Sequence, residues 1–214
     1  MTFNFDEFLK LEKEKDYFKI LEAKIQKTPY LPKKNEIFNA FKKFDFDNLK
    51  VIIIGQDPYA NENVPDGLCF STKSSITPAS LRNIFNEIKS SYPNATFKSN
   101  SLESWKNQGV LLLNSILTVE VKKPLSHANF GWETFNLNLL EKLNENYANI
   151  VYVLLGKNAQ NFVQTLSLKN QIILKAVHPS PLSAARGFFG SNIFFLINES
   201  LKKIGKQEID WSTE

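Results

Sequence analysis

The segment VIIIGQDPYANENVPDG, Val51 to Gly67, runs four apolar residues straight into a glycine, an amide, an acid, a proline and a tyrosine. A buried strand that merely turns has no need of such groups. Gln56 both gives and accepts hydrogen bonds, Asp57 carries a charge at neutral pH, and Tyr59 offers an aromatic face with a hydroxyl at its tip. Three further apolar runs end in comparable residues: VLLL (110–113) leads to Asn114, IVYVLL (150–155) to Gly156, and QIILKAV (171–177) to His178. An acid, an amide, an aromatic and an imidazole brought to one edge could read a polar ligand and move charge on it. A different grouping, Cys69 with His178 and Asn114, has the composition of a thiol hydrolase triad. Inside GLCFS, however, Cys69 is more simply a small buried residue.

For these groups to meet, the four runs must be neighbouring strands. Near-continuous apolar strands alternating with helical stretches (about 79–91, 102–108, 131–147, 158–166 and 190–203) imply a parallel sheet covered on both faces. In such sheets ligands bind outside the carboxyl ends of the strands, where the polar residues stand. From about Asp6 to Lys27, the apolar residues Tyr17, Phe18, Leu21 and Ile25 fall at helical spacing, and TPYLP ends that helix, which reads as scaffold. The expected fold class is therefore α/β, a four-stranded parallel sheet flanked by helices on both faces. With no internal repeat, low-complexity segment or Gly/Ser linker, residues 1–214 are expected to form a single domain.

Composition narrows the function classes. No apolar run is long enough for a bilayer and the N-terminal residues mix charges among apolar positions, so a cytoplasmic protein without membrane contact is expected. One cysteine and two histidines, His127 and His178, cannot supply a zinc or iron-sulfur centre, so no metal is expected. The net charge of +4 and pI near 9.0 favour a polyanionic partner only mildly, because lysines and acids are interleaved.

GQDPYANENVPDGLCFS, GVLLLNSILTV, HANFGWETF and HPSPLSAARGFFGSN together resemble the family 1 uracil-DNA glycosylases in order and spacing, from about residue 48 to Trp211. The resemblance implies hydrolysis of the N-glycosidic bond of uracil in single- or double-stranded DNA, by a monomer without cofactor or metal. It also implies possible targeting by a DNA-mimicking inhibitor protein. By the same resemblance, Asp57 orients water and faces the positive charge developing on the sugar, and His178 holds uracil O2 as negative charge gathers there. Gln56 contributes its backbone to a uracil carbonyl, Asn114 reads the O4 and N3 edge, Phe70 stacks on the ring, and Tyr59 crowds the place of a thymine methyl. Leu182 enters the duplex as the nucleotide leaves, within the loop Pro179, Ser180, Pro181, Leu182, Ser183 and Arg186. Thr77, Pro78 and Ser80, with Gly156 and Lys157, hold phosphates. Taken alone, Asp57 could be a turn residue, Phe70 core and Leu182 casual surface; His127 could contact a phosphate or cap the next helix.

The chain also departs from the family pattern. Ala60, Asn61 and Glu62 replace the usual histidine, glycine and proline, with Asn61 or Glu62 the residues that could substitute for the histidine. Lys157 replaces a serine, and Ala185 stands where histidine is common. These changes surround the constellation and bear on rate and DNA affinity; they also give weight to a non-catalytic DNA-binding module, against which stand Asp57, Asn114 and His178.

Overall fold

The computed structural model describes residues 2–214. The opening segment forms two helices, α1 (Phe5–Glu14) and α2 (Asp16–Ile25), where one was expected. Lys15 between them is extended, at φ −75° and ψ 144°, and this break lets Phe5 and Phe8 of α1 and Phe18, Leu21 and Ile25 of α2 all enter one core layer. Asn4 starts α1 by accepting the N–H groups of Asp6 and Glu7. The chain continues through β1 (Tyr30–Leu31), β2 (Val51–Gly55), α3 (Ala79–Ser91), α4 (Glu103–Lys106), β3 (Val110–Asn114) and β4 (Val119–Glu120). It ends with α5 (Trp132–Asn146), β5 (Val151–Leu155), α6 (Lys157–Phe162), β6 (Ile172–Ala176) and α7 (Ile193–Lys203).

The main sheet is parallel, in the order β3-β2-β5-β6, while β1 and β4 form a small antiparallel pair beside it. Side chains alternate along a strand, so a sheet covered on both faces needs apolar residues at every position. Ile52, Ile54, Leu111, Leu113, Tyr152 and Leu154 meet the layer of α1, α2 and α5. Val51, Ile53, Leu112, Val151, Val153 and Leu155 meet the opposite layer of α3, α4 and α7. The edge strand β6 is the exception to the expected two-sided cover: Ile172, Leu174 and Ala176 pack inward, but Ile173 and Lys175 are exposed. The cause lies in α6, which stops at Phe162 in tighter turns, packs on β5 and leaves the outer face of β6 bare. The last helix starts at Ile193, later than expected, because the buried carboxylate of Glu87 holds the N–H groups of Gly190 and Asn192, each at 2.8 Å.

Register decides what shares the carboxyl edge. Gly55 lies opposite Asn114, Ile54 opposite Leu154, and Leu155 opposite Ala176. The residues that follow, Gln56, Ser115 and Gly156, therefore emerge side by side, with His178 two residues beyond Ala176 on the neighbouring strand. Among the described residues no helix is long and apolar enough to cross a membrane.

Candidate active site

The chain leaving β2 is tied to the chain leaving β3. The Gln56 carbonyl accepts the Ile116 N–H and the Ser115 hydroxyl, each at 2.9 Å, and the Gly55 carbonyl accepts the Ser115 N–H at 3.0 Å. A glycine at position 55 leaves room for the Asn114 amide, because a Cβ there would stand 2.6 Å from Asn114 Oδ1 and displace it. Asn114 is buried, and Asn136, fully buried on α5, donates from Nδ2 to the carbonyls of Asn114 at 3.0 Å and Ser115 at 2.9 Å. The turn that carries Asn114 is thereby fixed from beneath.

Asp57 is half-buried, and its Oδ2 accepts the N–H of Leu125 at 2.7 Å. Burial pushes its carboxyl above the ordinary range, and the N–H groups of Leu125 and Asp57 itself offset part of that rise. The Tyr59 hydroxyl donates to the Phe70 carbonyl at 3.0 Å, and Phe70 sits at φ 63°, a left-handed conformation rarely adopted by a bulky residue. Tyr59 thus braces the backbone that presents the Phe70 ring.

His178 follows β6. The Ser180 N–H donates to its Nδ1 at 3.0 Å, so Nδ1 acts as an acceptor and the proton of the neutral ring resides on Nε2. Burial lowers the His178 pKa, which favours that neutral form. Gly156 packs so closely that a Cβ would fall 2.8 Å from His178 Cβ. The rings of His178 and Phe70 lie 5.8 Å apart. Gln56, Asp57, Tyr59, Phe70, Asn114 and His178 together line one cavity of about 530 Å³, with Ser80, Ser180 and Leu182 also on its wall. Such a cavity is of a size to take a single flat ring.

Residues 41–202 match the model of the uracil DNA glycosylase superfamily. The chain is 48% identical over 212 residues to the uracil-DNA glycosylase of Mycoplasmopsis pulmonis, covering 97% of this chain and 96% of the relative. It is 44% identical to that of Coxiella burnetii, covering 95% and 91%. The crystal structure of mimivirus uracil-DNA glycosylase superposes with a TM-score of 0.88 at 28% identity, over 97% of this chain and 85% of that one. A variant of the mimivirus protein solved in complex with UGI gives the same TM-score, 0.88. The chain belongs to the uracil-DNA glycosylase superfamily.

In this superfamily member, the loop after His178 is tightly folded. Asn83 on α3 donates to the Pro179 carbonyl at 2.8 Å, and the Ser183 hydroxyl donates to the His178 carbonyl at 2.8 Å. Pro181 and Arg186 are exposed, and Leu182 is 85% exposed at the cavity wall. Lys157 is exposed at the start of α6, next to a second hollow of about 340 Å³ that reaches His178 and Ser180. Pro78 precedes α3, while the Thr77 hydroxyl donates to Asn100 Oδ1 at 2.8 Å.

Several expectations change. His127 neither reaches the surface nor caps α5: it is fully buried, its Nδ1 lies 2.8 Å from the Thr118 hydroxyl, and Gly131 occupies the cap position. Asn61 and Glu62 are exposed and absent from the cavity wall, Glu62 facing a separate hollow with Lys33 and Lys73. The turn after Tyr59 carries them outward, so neither substitutes for a histidine at Ala60. The thiol triad fails on burial, since Cys69 is wholly enclosed and its pKa is pushed up, which suppresses the thiolate. Leu125 and Asn136, which hold Asp57 and Asn114, were not among the expected residues. The pairing of an unremarkable leucine and a helical asparagine with site groups leaves no pattern in the sequence.

Proposed function

We propose that the chain removes uracil from DNA by hydrolysis, with Asp57 and His178 as its two catalytic groups. Uracil excision in DNA repair is the function of this hydrolase; the assignment of roles is our reading. The flipped base enters the cavity, stacks on Phe70, and is read by the Asn114 amide, which pairs with the O4 and N3 edge of uracil and mismatches the amino group of cytosine. Tyr59 excludes the thymine methyl by bulk. As the bond between C1′ and the base breaks, its electron pair moves onto uracil, whose O2 is met by the N–H at His178 Nε2. The Asp57 carboxylate faces the cationic sugar, orients water toward C1′ and takes up the proton that water loses on attack. The observation that carries this reading is the Ser180 N–H on His178 Nδ1, because it fixes the proton on the nitrogen that must donate.

On the DNA side, Leu182 fills the space in the stack, and Thr77, Pro78, Ser80, Gly156, Lys157, Pro179, Ser180, Pro181, Ser183 and Arg186 meet the backbone around the lesion. Lys157 supplies a cation to a phosphate. We extend to this chain the binding of UGI named for the mimivirus protein, and a cytoplasmic, monomeric single-domain enzyme is the form consistent with a genomic substrate. The test is release of free uracil from a single-uracil oligonucleotide in excess EDTA. Tight binding without release would favour a DNA-binding module instead, and release that depends on an added divalent ion would refute the proposed chemistry.

A further inference from the structure

The loop between β4 and α5 touches the site in a way that uracil recognition does not require. Leu125 donates its N–H to Asp57 Oδ2 at 2.7 Å, and Lys122 donates its N–H to the Ala60 carbonyl at 2.7 Å. Both donors sit at positive φ, 63° for Leu125 and 61° for Lys122, a conformation that such side chains adopt only when the surroundings impose it. The Leu125 side chain is 42% exposed, so its own packing is not what holds the backbone there.

What holds it lies below. The Ser126 hydroxyl accepts the Glu120 N–H at 2.7 Å, closing the loop on itself. His127 is fully buried, with Nδ1 2.8 Å from the Thr118 hydroxyl, and the Trp132 indole N–H donates to the same hydroxyl at 2.6 Å. The His127 ring also stacks on Phe130 at 4.9 Å. A buried, hydrogen-bonded chain from Trp132 through Thr118 to His127 therefore stands two residues from the amide that meets Asp57.

We infer that the backbone N–H of Leu125 is a positioning group for Asp57, held in place by the buried Trp132–Thr118–His127 chain. This rests on the reading of Asp57 as the carboxylate that must be ionised. By occupying Oδ2, the amide fixes the rotation of the carboxylate and leaves Oδ1 for water. A hydrogen bond to the charged form also favours ionisation in a site where burial opposes it. The other titratable groups on the cavity wall are Tyr59 and His178, the loop that carries Leu125 holds Lys122 and Lys123 after Glu120 of β4, and Glu62 faces a separate hollow. None of these charged side chains is among the causes that set the Asp57 shift; the N–H groups of Leu125 and of Asp57 itself are what oppose burial.

The test replaces Leu125 by its α-hydroxy acid, which turns the amide into an ester and removes the N–H while keeping the side chain. Single-turnover uracil release is then followed against pH. The acid limb, where Asp57 becomes protonated, should move upward by about one pH unit, a loss of about tenfold at a fixed pH on that limb. Leu125→Ala keeps the N–H and should leave the acid limb where it is, whatever it does to the plateau. If the ester variant folds and its limb does not move, the inference is wrong. A second measurement does not depend on that variant or on turnover: in the unmodified protein the ¹H and ¹⁵N shifts of the Leu125 amide should titrate with Asp57, and this titration should vanish in Asp57→Ala. A flat Leu125 amide shift across the pH range would overturn the inference even with full activity. Full single-turnover activity in Asp57→Ala would instead overturn the catalytic assignment, without touching the amide titration recorded in the unmodified protein.

Discussion

Gly156 offers the sharpest test of how His178 is held. It sits at φ 88° and ψ 168°, a region open essentially to glycine alone, and an added Cβ would lie 2.8 Å from His178 Cβ. Ordinary contact begins near 3.4 Å, so in Gly156→Ala the two must part by about 0.6 Å. Misplacing a reacting group by 1 Å costs on the order of a hundredfold in rate, which puts this displacement at roughly tenfold or somewhat more. Backbone strain at such a position costs about 1–3 kcal/mol, and in a chain of this size each kcal/mol lowers Tm by about 2–4 °C. Strain and displacement can be separated with Gly190→Ala, which also has a positive φ, 79°, but whose Cβ meets nothing within 4 Å. Single-turnover uracil release and thermal melts on both variants give the comparison. Gly156→Ala should lose rate and stability, and Gly190→Ala stability alone. A Gly156→Ala enzyme within twofold of the parent rate, or a Gly190→Ala enzyme equally slowed, would refute the claim that close packing on Gly156 positions the imidazole.

Further outcomes are expected at Asp57, Tyr59 and Leu182. Asp57→Asn should slow single-turnover release at least about a hundredfold, equivalent to roughly 2.7 kcal/mol, with little change in DNA affinity. Because the Asp57 pKa in the folded chain lies above its unfolded value of 3.8, ionisation opposes folding. In urea melts Asp57→Asn should therefore be more stable than the parent at neutral pH, with the gain vanishing as pH falls below 3.8. Tyr59→Phe removes the hydroxyl that holds the Phe70 carbonyl and should cost about 0.5–1.5 kcal/mol of stability without admitting thymine, whereas Tyr59→Ala should admit it; thymine release by both or neither would sink the bulk argument. Leu182→Ala should weaken capture of duplex more than of single-stranded substrate, since only a duplex has a stack to refill, and equal losses on competition assays at fixed salt would count against the wedge.

The residues that were legible in the sequence share a property: their signal is local. VIII and VLLL announce buried strands by composition, and an acid, amide or imidazole directly after such a run must emerge at the carboxyl edge of a parallel sheet. Long-range bonding was not legible. Nothing in PLS marks Leu125 as the donor to Asp57, because a backbone N–H is common to nearly every residue type and its aim depends on the fold of the loop. Asn136 was hidden for a related reason, as one of several asparagines along α5 whose burial depends on which face of the helix meets β3. The break at Lys15 and the bare outer face of β6 depend likewise on what packs against them, and helical spacing or an apolar run gives no direct measure of that. His127 follows the same logic: its identity and position suggested a phosphate contact or a helix cap equally, and its zero exposure makes it a buried partner of Thr118 instead.

The electrostatics of the cavity explain why burial serves the reaction. Burial raises the Asp57 pKa and lowers that of His178, so the cavity disfavours charge on both groups. The N–H groups of Leu125 and of Asp57 itself favour its charged form in place of solvent, and no cationic side chain is among the causes that set its pKa. On the proposed roles, the Asp57 charge gains a cationic partner only when a positive centre appears on the sugar, and an interaction gained mainly at that moment lowers the barrier more than it tightens binding. A lysine paired with Asp57 would abolish that advantage by satisfying the carboxylate in the ground state. In the proposed role His178 acts in the complementary sense: a neutral N–H strengthens its hydrogen bond as uracil O2 gains charge, whereas burial would penalise an imidazolium. The amide of Ser180 on Nδ1 and that of Leu125 on Oδ2 are matching contacts, and on the proposed roles each uses a backbone dipole to keep its side chain in the form that the departing base and the cationic sugar require.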